Sequence, residues 1–117
     1  MNYINKGNKA TKTGFGEGVL AAAQVNPNVV GLGADITASV GMNLFADAFP
    51  ERFFSMGIAE QDCVATATGL ALSGKVPVFS TYGVFAAHRA NDQIRIFFFF
   101  CGRYCKLPPF SLLCFLV

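Results

Sequence analysis

Charge is scarce in this chain, and histidine is nearly absent. Only 14% of its 117 residues are charged, against 53% hydrophobic. That balance excludes a disordered chain and suits one modest domain around a buried core. The formal net charge is +2, yet residues 1–96 hold seven basic and seven acidic side chains. The body is therefore neutral and carries no electrostatic footprint for nucleic acid. No apolar run opens the chain: "MNYINKGNKATKTG" has neither signal-peptide nor anchor character. Of four cysteines, Cys101, Cys105 and Cys114 fall in the final 17 residues and Cys63 stands alone. That is no disulfide framework, so the chain reads as cytoplasmic. His88 is the one histidine, so Cys101-x3-Cys105 lacks a second ligand pair and no metal site is expected. Internal repeats are absent as well.

What is present is an alternation of helical and strand patterns. In residues 11–24, Phe15, Val19, Ala22 and Ala23 share one helical face, and Asn26-Pro27 ends that helix. "NVVGLGAD" (28–35) reads as a strand stopping at Asp35, and Met42 to Phe49 as a short helix. "RFFSMG" (52–57) and "VPVFST" (76–81) read as two further strands. Residues 59–73 predict a strong helix with Gly74 just past its end, and 83–96 another helix. Short, non-alternating apolar strands between helices predict an α/β fold: a parallel sheet with helices on both faces. Sites in such sheets gather at the carboxyl ends of strands. Asp35, Gly57 to Glu60 and Thr81 to Phe85 all sit there.

Residues 97–117 lack Ala, Asp, Glu, Asn, Gln and Thr, yet hold six of the 13 Phe. Arg103, Lys106 and Pro108-Pro109 split this stretch well below the roughly 18 apolar residues of a membrane span. A core strand would not carry so many consecutive aromatics. The segment is read as an aberrant tail produced by a reading-frame slip, because Phe codons are T-rich and a T homopolymer invites slippage. Residues 1–10 are then an N-terminal extension, 11–96 the domain, and the fold is incomplete at its C-terminus.

Glu60 is the side chain that asks for a function. Burial opposes its ionised form, whereas a helix start favours it. A first-turn acid that only complements the helix dipole is the plain reading. Against it, Gly57 permits close backbone approach, and Ala59, Ala65, Ala67 and Gly69 are small neighbours. A carboxylate walled by Ala and Gly beside the aromatics Tyr82 and Phe85 suits a flat heteroaromatic ligand. Two aromatics at that spacing are, on their own, simply core. Gly14 to Gly18 hint at a nucleotide loop, but no strand precedes them.

"RFFSMGIAEQDCVATATGLALSGKVPVFSTYGVFAAHRANDQIR" closely resembles the pyrimidine-binding domain of transketolases, in particular the separate C-terminal subunit of split transketolases. The resemblance runs from "ATKTGFGEGVL" through "VVGLGADIT" to about Ile96, and "GIAEQ" followed by "GLALSGKVPVFSTY" is its most specific part. It implies thiamine diphosphate as cofactor and two-carbon ketol transfer between sugar phosphates of the pentose phosphate pathway. Glu60 matches the glutamate that hydrogen-bonds N1′ of the aminopyrimidine, where proton sharing activates the cofactor as nucleophile and electron sink. Phe85 matches the aromatic that stacks on that ring, and Tyr82 a neighbouring wall. Gly57 and Ile58 belong to the same cofactor-binding segment. His88 falls where relatives carry an aromatic or polar pocket residue, and reads equally as a surface histidine.

Asp35 and Ser39 match a family loop, "ADITAS" here. Ser39 and Lys12 would bind the sugar phosphate. Lys12 stands where many relatives have arginine, so it keeps the charge and loses the bidentate fork; it reads equally as a solvated helix-start lysine. The family's "HAG…GEDG…HQ" continuation is replaced by the Phe/Cys tail, and no "GDG…N" motif for Mg²⁺ and the cofactor phosphates is present. The resemblance therefore implies half a cofactor site, completed by a diphosphate-binding N-terminal subunit that holds Mg²⁺, in a homo- or hetero-oligomer without nucleic acid or membrane. 1-Deoxyxylulose-5-phosphate synthase is the nearest enzymatic alternative, and an inactive truncated remnant is the non-enzymatic one. The isolated fragment is expected to be inactive.

Overall fold

The structure is a computed structural model, and it describes residues 7–104. Its centre is β1 (Val29–Gly33), flanked by β2 (Phe53–Ser55) and β3 (Val76–Phe79), all parallel. Gly31 of β1 pairs with Phe53 on one side and Val78 on the other. A middle strand covered on both faces must be apolar at every position, and all of "VVGLG" is buried. On one face Val29 and Val78 meet Val19 and Ala23 of α1 (Thr11–Val25) and Phe45 of α2 (Asn43–Ala48). On the other face, Leu32 and Phe79 meet Cys63, Val64, Ala67 and Ala71 of α3 (Glu60–Leu72), with Phe97 of α4 (Asn91–Tyr104) beyond. The expected α/β/α layering is what the chain forms.

Chain order places the site. β1 reaches β2 through α2 on one face, and β2 reaches β3 through α3 on the other, passing β1. The connections thus change face at β1, and in sheets of this kind ligands bind beyond the carboxyl ends of the strands at such a point.

Local chemistry fixes the helix ends. α1 stops at Asn26, ahead of Pro27. Arg52 donates to the carbonyl oxygens of Ala23 and Asn26, and its guanidinium lies 3.7 Å from the Phe49 ring centroid. One cation thereby satisfies a free carbonyl in the last turn of α1 and ties that helix to the end of α2. α3 closes with a Schellman turn: Lys75 N–H bonds the Leu70 carbonyl and Gly74 N–H the Ala71 carbonyl, both at 3.0 Å. Gly74 holds φ 86° there, as the sequence predicts for the residue past the helix.

Three details differ from the sequence expectation. On α1 the buried stripe is Gly16, Val19 and Ala23, with Ala22 exposed. Gly16 takes the inward place because a Cβ there would collide with the Gly41 carbonyl oxygen. β2 is shorter than 52–57, and Phe54 is exposed. Residues 83–96 do not form one helix: a π-helical turn covers Phe85–Arg89, and α4 starts only at Asn91. The Ala90 N–H reaches the Phe85 carbonyl at 3.0 Å, so the turn holds one residue more than an α-turn. α4 continues through Tyr104, and Phe97 is buried in the core. Residues 105–117, with most of the segment read as aberrant, lie outside the described residues.

Candidate functional site

The three parallel strands end on one side of the sheet. β2 leads through Met56 to Ala59 into α3, whose first residue is Glu60, 1% exposed. Gly57 turns that loop with φ 71°. β3 leads through Ser80 and Thr81, both buried with unpartnered hydroxyls, to Tyr82 and the π-turn. Asp35, beyond β1, takes a left-handed φ of 63°, uncommon for a residue other than glycine.

Glu60 does not serve as a helix cap. The N-cap of α3 is Ala59, and no side chain caps its free N–H groups. Instead, Glu60 Oε2 accepts a 2.8 Å hydrogen bond from Arg89 Nη1, a full ion pair. The Arg89 guanidinium carbon lies 4.5 Å from the Phe85 ring centroid. Tyr82 sits against the same ring, centroids 5.9 Å apart and planes tilted by 38°. A buried carboxylate, a flat cation and two aromatics thus form one contiguous cluster.

Tyr82 and Phe85, expected beside Glu60, are linked to it here through Arg89, which sequence reasoning did not single out. The signal for Arg89 was the four-residue step from Phe85, which puts both side chains on one face of a helical turn. Ala65 and Gly69 do not wall the cluster; both are exposed, because the inward face of α3 runs Glu60, Cys63, Val64, Ala67, Ala71. His88 and Ile58 are exposed too.

Lys12 and the loop carrying Ser39 meet at a second place. A pocket of about 270 Å³ is lined by Lys12, Thr13, Ala38, Gly41 and Asn43. Close backbone approach shapes it: Gly41, at φ 80°, has no room for a Cβ against the Lys12 carbonyl. Ser39 itself is exposed on that loop, and Asp35 is exposed at its start.

Burial pushes the Cys63 thiol up from 9.0 to about 12, and the Asp62 and Glu60 carboxylates raise it further within that shift. The folded state therefore favours the neutral thiol over the unfolded state. That contribution is complete below pH 9 and is lost as pH climbs toward 12. Wild-type denaturation midpoints between pH 8 and 11 should fall more steeply than those of Cys63→Ala. Equal slopes would refute the assignment. Among the described residues no group of three His, Cys, Asp or Glu could hold a metal ion. No described helix is long and apolar enough to cross a membrane.

Comparison with known proteins fits this geometry. Residues 8–106 match the family model "Transketolase, pyrimidine binding domain". The chain is 40% identical over 87 residues to a putative transketolase C-terminal section of Methanocaldococcus jannaschii, covering 74% of this chain and 28% of that one. It is 46% identical over 80 residues to the 1-deoxy-D-xylulose-5-phosphate synthase of Syntrophus aciditrophicus, covering 68% of this chain and 12% of that one. Among solved structures it resembles a split-gene transketolase, described as an inactive β4 tetramer, with TM-score 0.68 and 48% identity. That match covers 75% of this chain and 29% of the other. The chain thus spans less than a third of each relative.

Proposed function

The chain belongs to the transketolase family through its pyrimidine-binding domain, and from that premise we propose that it supplies the pyrimidine half of a thiamine diphosphate site. The observation that carries this reading is the buried Glu60 carboxylate, paired with a flat nitrogen cation that lies over the Phe85 ring. The pair tests the fit: Glu60 and Phe85 already hold a flat N–H-bearing cation, as a ring protonated at N1′ would be. When bound, thiamine diphosphate supplies the carbanion chemistry and electron sink for two-carbon ketol transfer between sugar phosphates.

The chain's own residues bind, orient and hold a proton. Glu60 holds the proton at the ring nitrogen N1′, in a place where its burial excludes water. Phe85 and Tyr82 fix the ring plane by stacking. Gly57 lets the backbone approach, and Ile58 and His88 are exposed on the two segments that carry Glu60 and Phe85. Lys12 borders the pocket beside the loop that carries Asp35 and Ser39, and there its ammonium would attract the phosphate of a sugar substrate.

The reading requires a partner, a diphosphate-binding N-terminal subunit that brings Mg²⁺. Support comes from the segments that frame Glu60, which leave Ile58 74% and Val84 57% exposed, apolar surface for such a subunit to cover. The isolated chain is then inactive. The 46% identity to a 1-deoxy-D-xylulose-5-phosphate synthase favours a second reading, membership in that enzyme. Scoring the reconstituted pair for each product separates the two.

Binding tests the site itself. Phe85→Ala should weaken thiamine diphosphate binding to the two-subunit assembly roughly fivefold, the equivalent of about 1 kcal/mol of stacking. Unchanged affinity in equilibrium dialysis would remove Phe85 from the site.

A further inference from the structure

We propose that Arg89 is a built-in occupant of the ring site, which the incoming aminopyrimidine must displace. This rests on the reading of Glu60 and Phe85 given above. In the free chain the guanidinium makes both contacts assigned to the ring. It donates to Glu60 Oε2 at 2.8 Å, and it lies 4.5 Å from the Phe85 centroid. Guanidinium and an aminopyrimidine protonated at N1′ are alike in the features that matter: each is flat and delocalised, and each presents an N–H donor in its plane to a carboxylate. One aromatic face cannot stack on both. Tyr82 already lies against the Phe85 ring, which leaves less of that ring for a second ligand.

The cluster also explains why a stand-in is useful. A carboxylate that is 1% exposed is strongly disfavoured without a partner, so an empty site needs a cation. Arg89 can act as one and still leave, because its side chain is 45% exposed and solvent lies beside it. It rises from a π-helical turn, Phe85–Arg89, and the four-residue step between the two brings its guanidinium to the Phe85 ring. Ring binding then competes with an internal ligand, and apparent affinity falls by the fraction of sites that Arg89 leaves open.

Thiamine, which carries the aminopyrimidine without phosphates, is the probe, and the full chain is titrated by NMR. Arg89→Ala should bind thiamine roughly five- to thirty-fold more tightly than wild type, since a cation–π contact and a half-exposed ion pair no longer compete. Arg89→Gln, which can still donate to Glu60, should fall between, and it keeps the test open if Arg89→Ala fails to fold. In wild type the Arg89 side-chain resonance should carry a Phe85 ring-current shift that disappears as thiamine is added. Weaker binding by both variants, or an Arg89 resonance that stays put while Phe85 responds, would overturn the proposal and make Arg89 a positioning residue. Binding by none of the three chains, alone or assembled with the partner subunit, would instead take down the Glu60 site together with the inference built on it.

Discussion

In the proposed two-subunit assembly, Glu60→Gln is expected to lower turnover by about 10² or more, the loss typical of a removed general acid–base group. Glutamine has almost the same shape as glutamate, and its carbonyl can still accept from Arg89. It cannot take or return a proton at a ring nitrogen. The folded state should barely notice: the Arg89 partner is half exposed, where ion pairs contribute on the order of 1 kcal/mol or less. Steady-state kinetics beside a thermal melt separate the two roles of the residue. Turnover preserved with a melting point several degrees lower would make Glu60 a helix-start acid, and the catalytic reading would be wrong.

Gly16→Ala is expected to destabilise the fold by about 1–3 kcal/mol or more, although alanine is the better helix former. Propensity alone favours the substitution by roughly 1 kcal/mol. Against that stands a collision of the new Cβ with the Gly41 carbonyl oxygen. The obstacle is backbone, so relief requires α1 or the loop to move, and overpacking of this kind outweighs propensity. Gly18→Ala supplies the control. In the same helix its Cβ would meet nothing within 4 Å, and it should raise stability by up to about 1 kcal/mol. Denaturant midpoints for the two variants should therefore shift in opposite directions. The Lys12 pocket depends on the same approach, because Gly41 packs on the Lys12 carbonyl.

The sheet was legible chiefly through its middle strand, where "VVGLG" is buried at every position and leaves no polar face to dispute. Helix ends were legible where chemistry is local, at Pro27 and at Gly74 with its Schellman bonds. The break at Ala90 was not, since a π-turn adds one residue without any glycine or proline to mark it. At the site, Glu60 could be singled out as a carboxylate amid apolar neighbours, and the family pattern set Tyr82 and Phe85 beside it. Arg89 escaped notice because its importance arises from packing across 29 residues of sequence, between α3 and the π-turn. Ala65 and Gly69 were misplaced for the opposite reason: small residues fit either face of a helix, and only the packing of α3 decides which.

The central claim is that the Glu60 carboxylate holds a proton at a cofactor ring nitrogen. Thiamine diphosphate labelled with ¹⁵N at N1′, bound to the two-subunit assembly, reads that proton directly by NMR. The account predicts that the N1′ resonance moves on binding toward its protonated position, and that Glu60→Gln abolishes the move while the cofactor stays bound. An N1′ resonance that matches the free cofactor in the wild-type assembly, or that moves identically in Glu60→Gln, would contradict it.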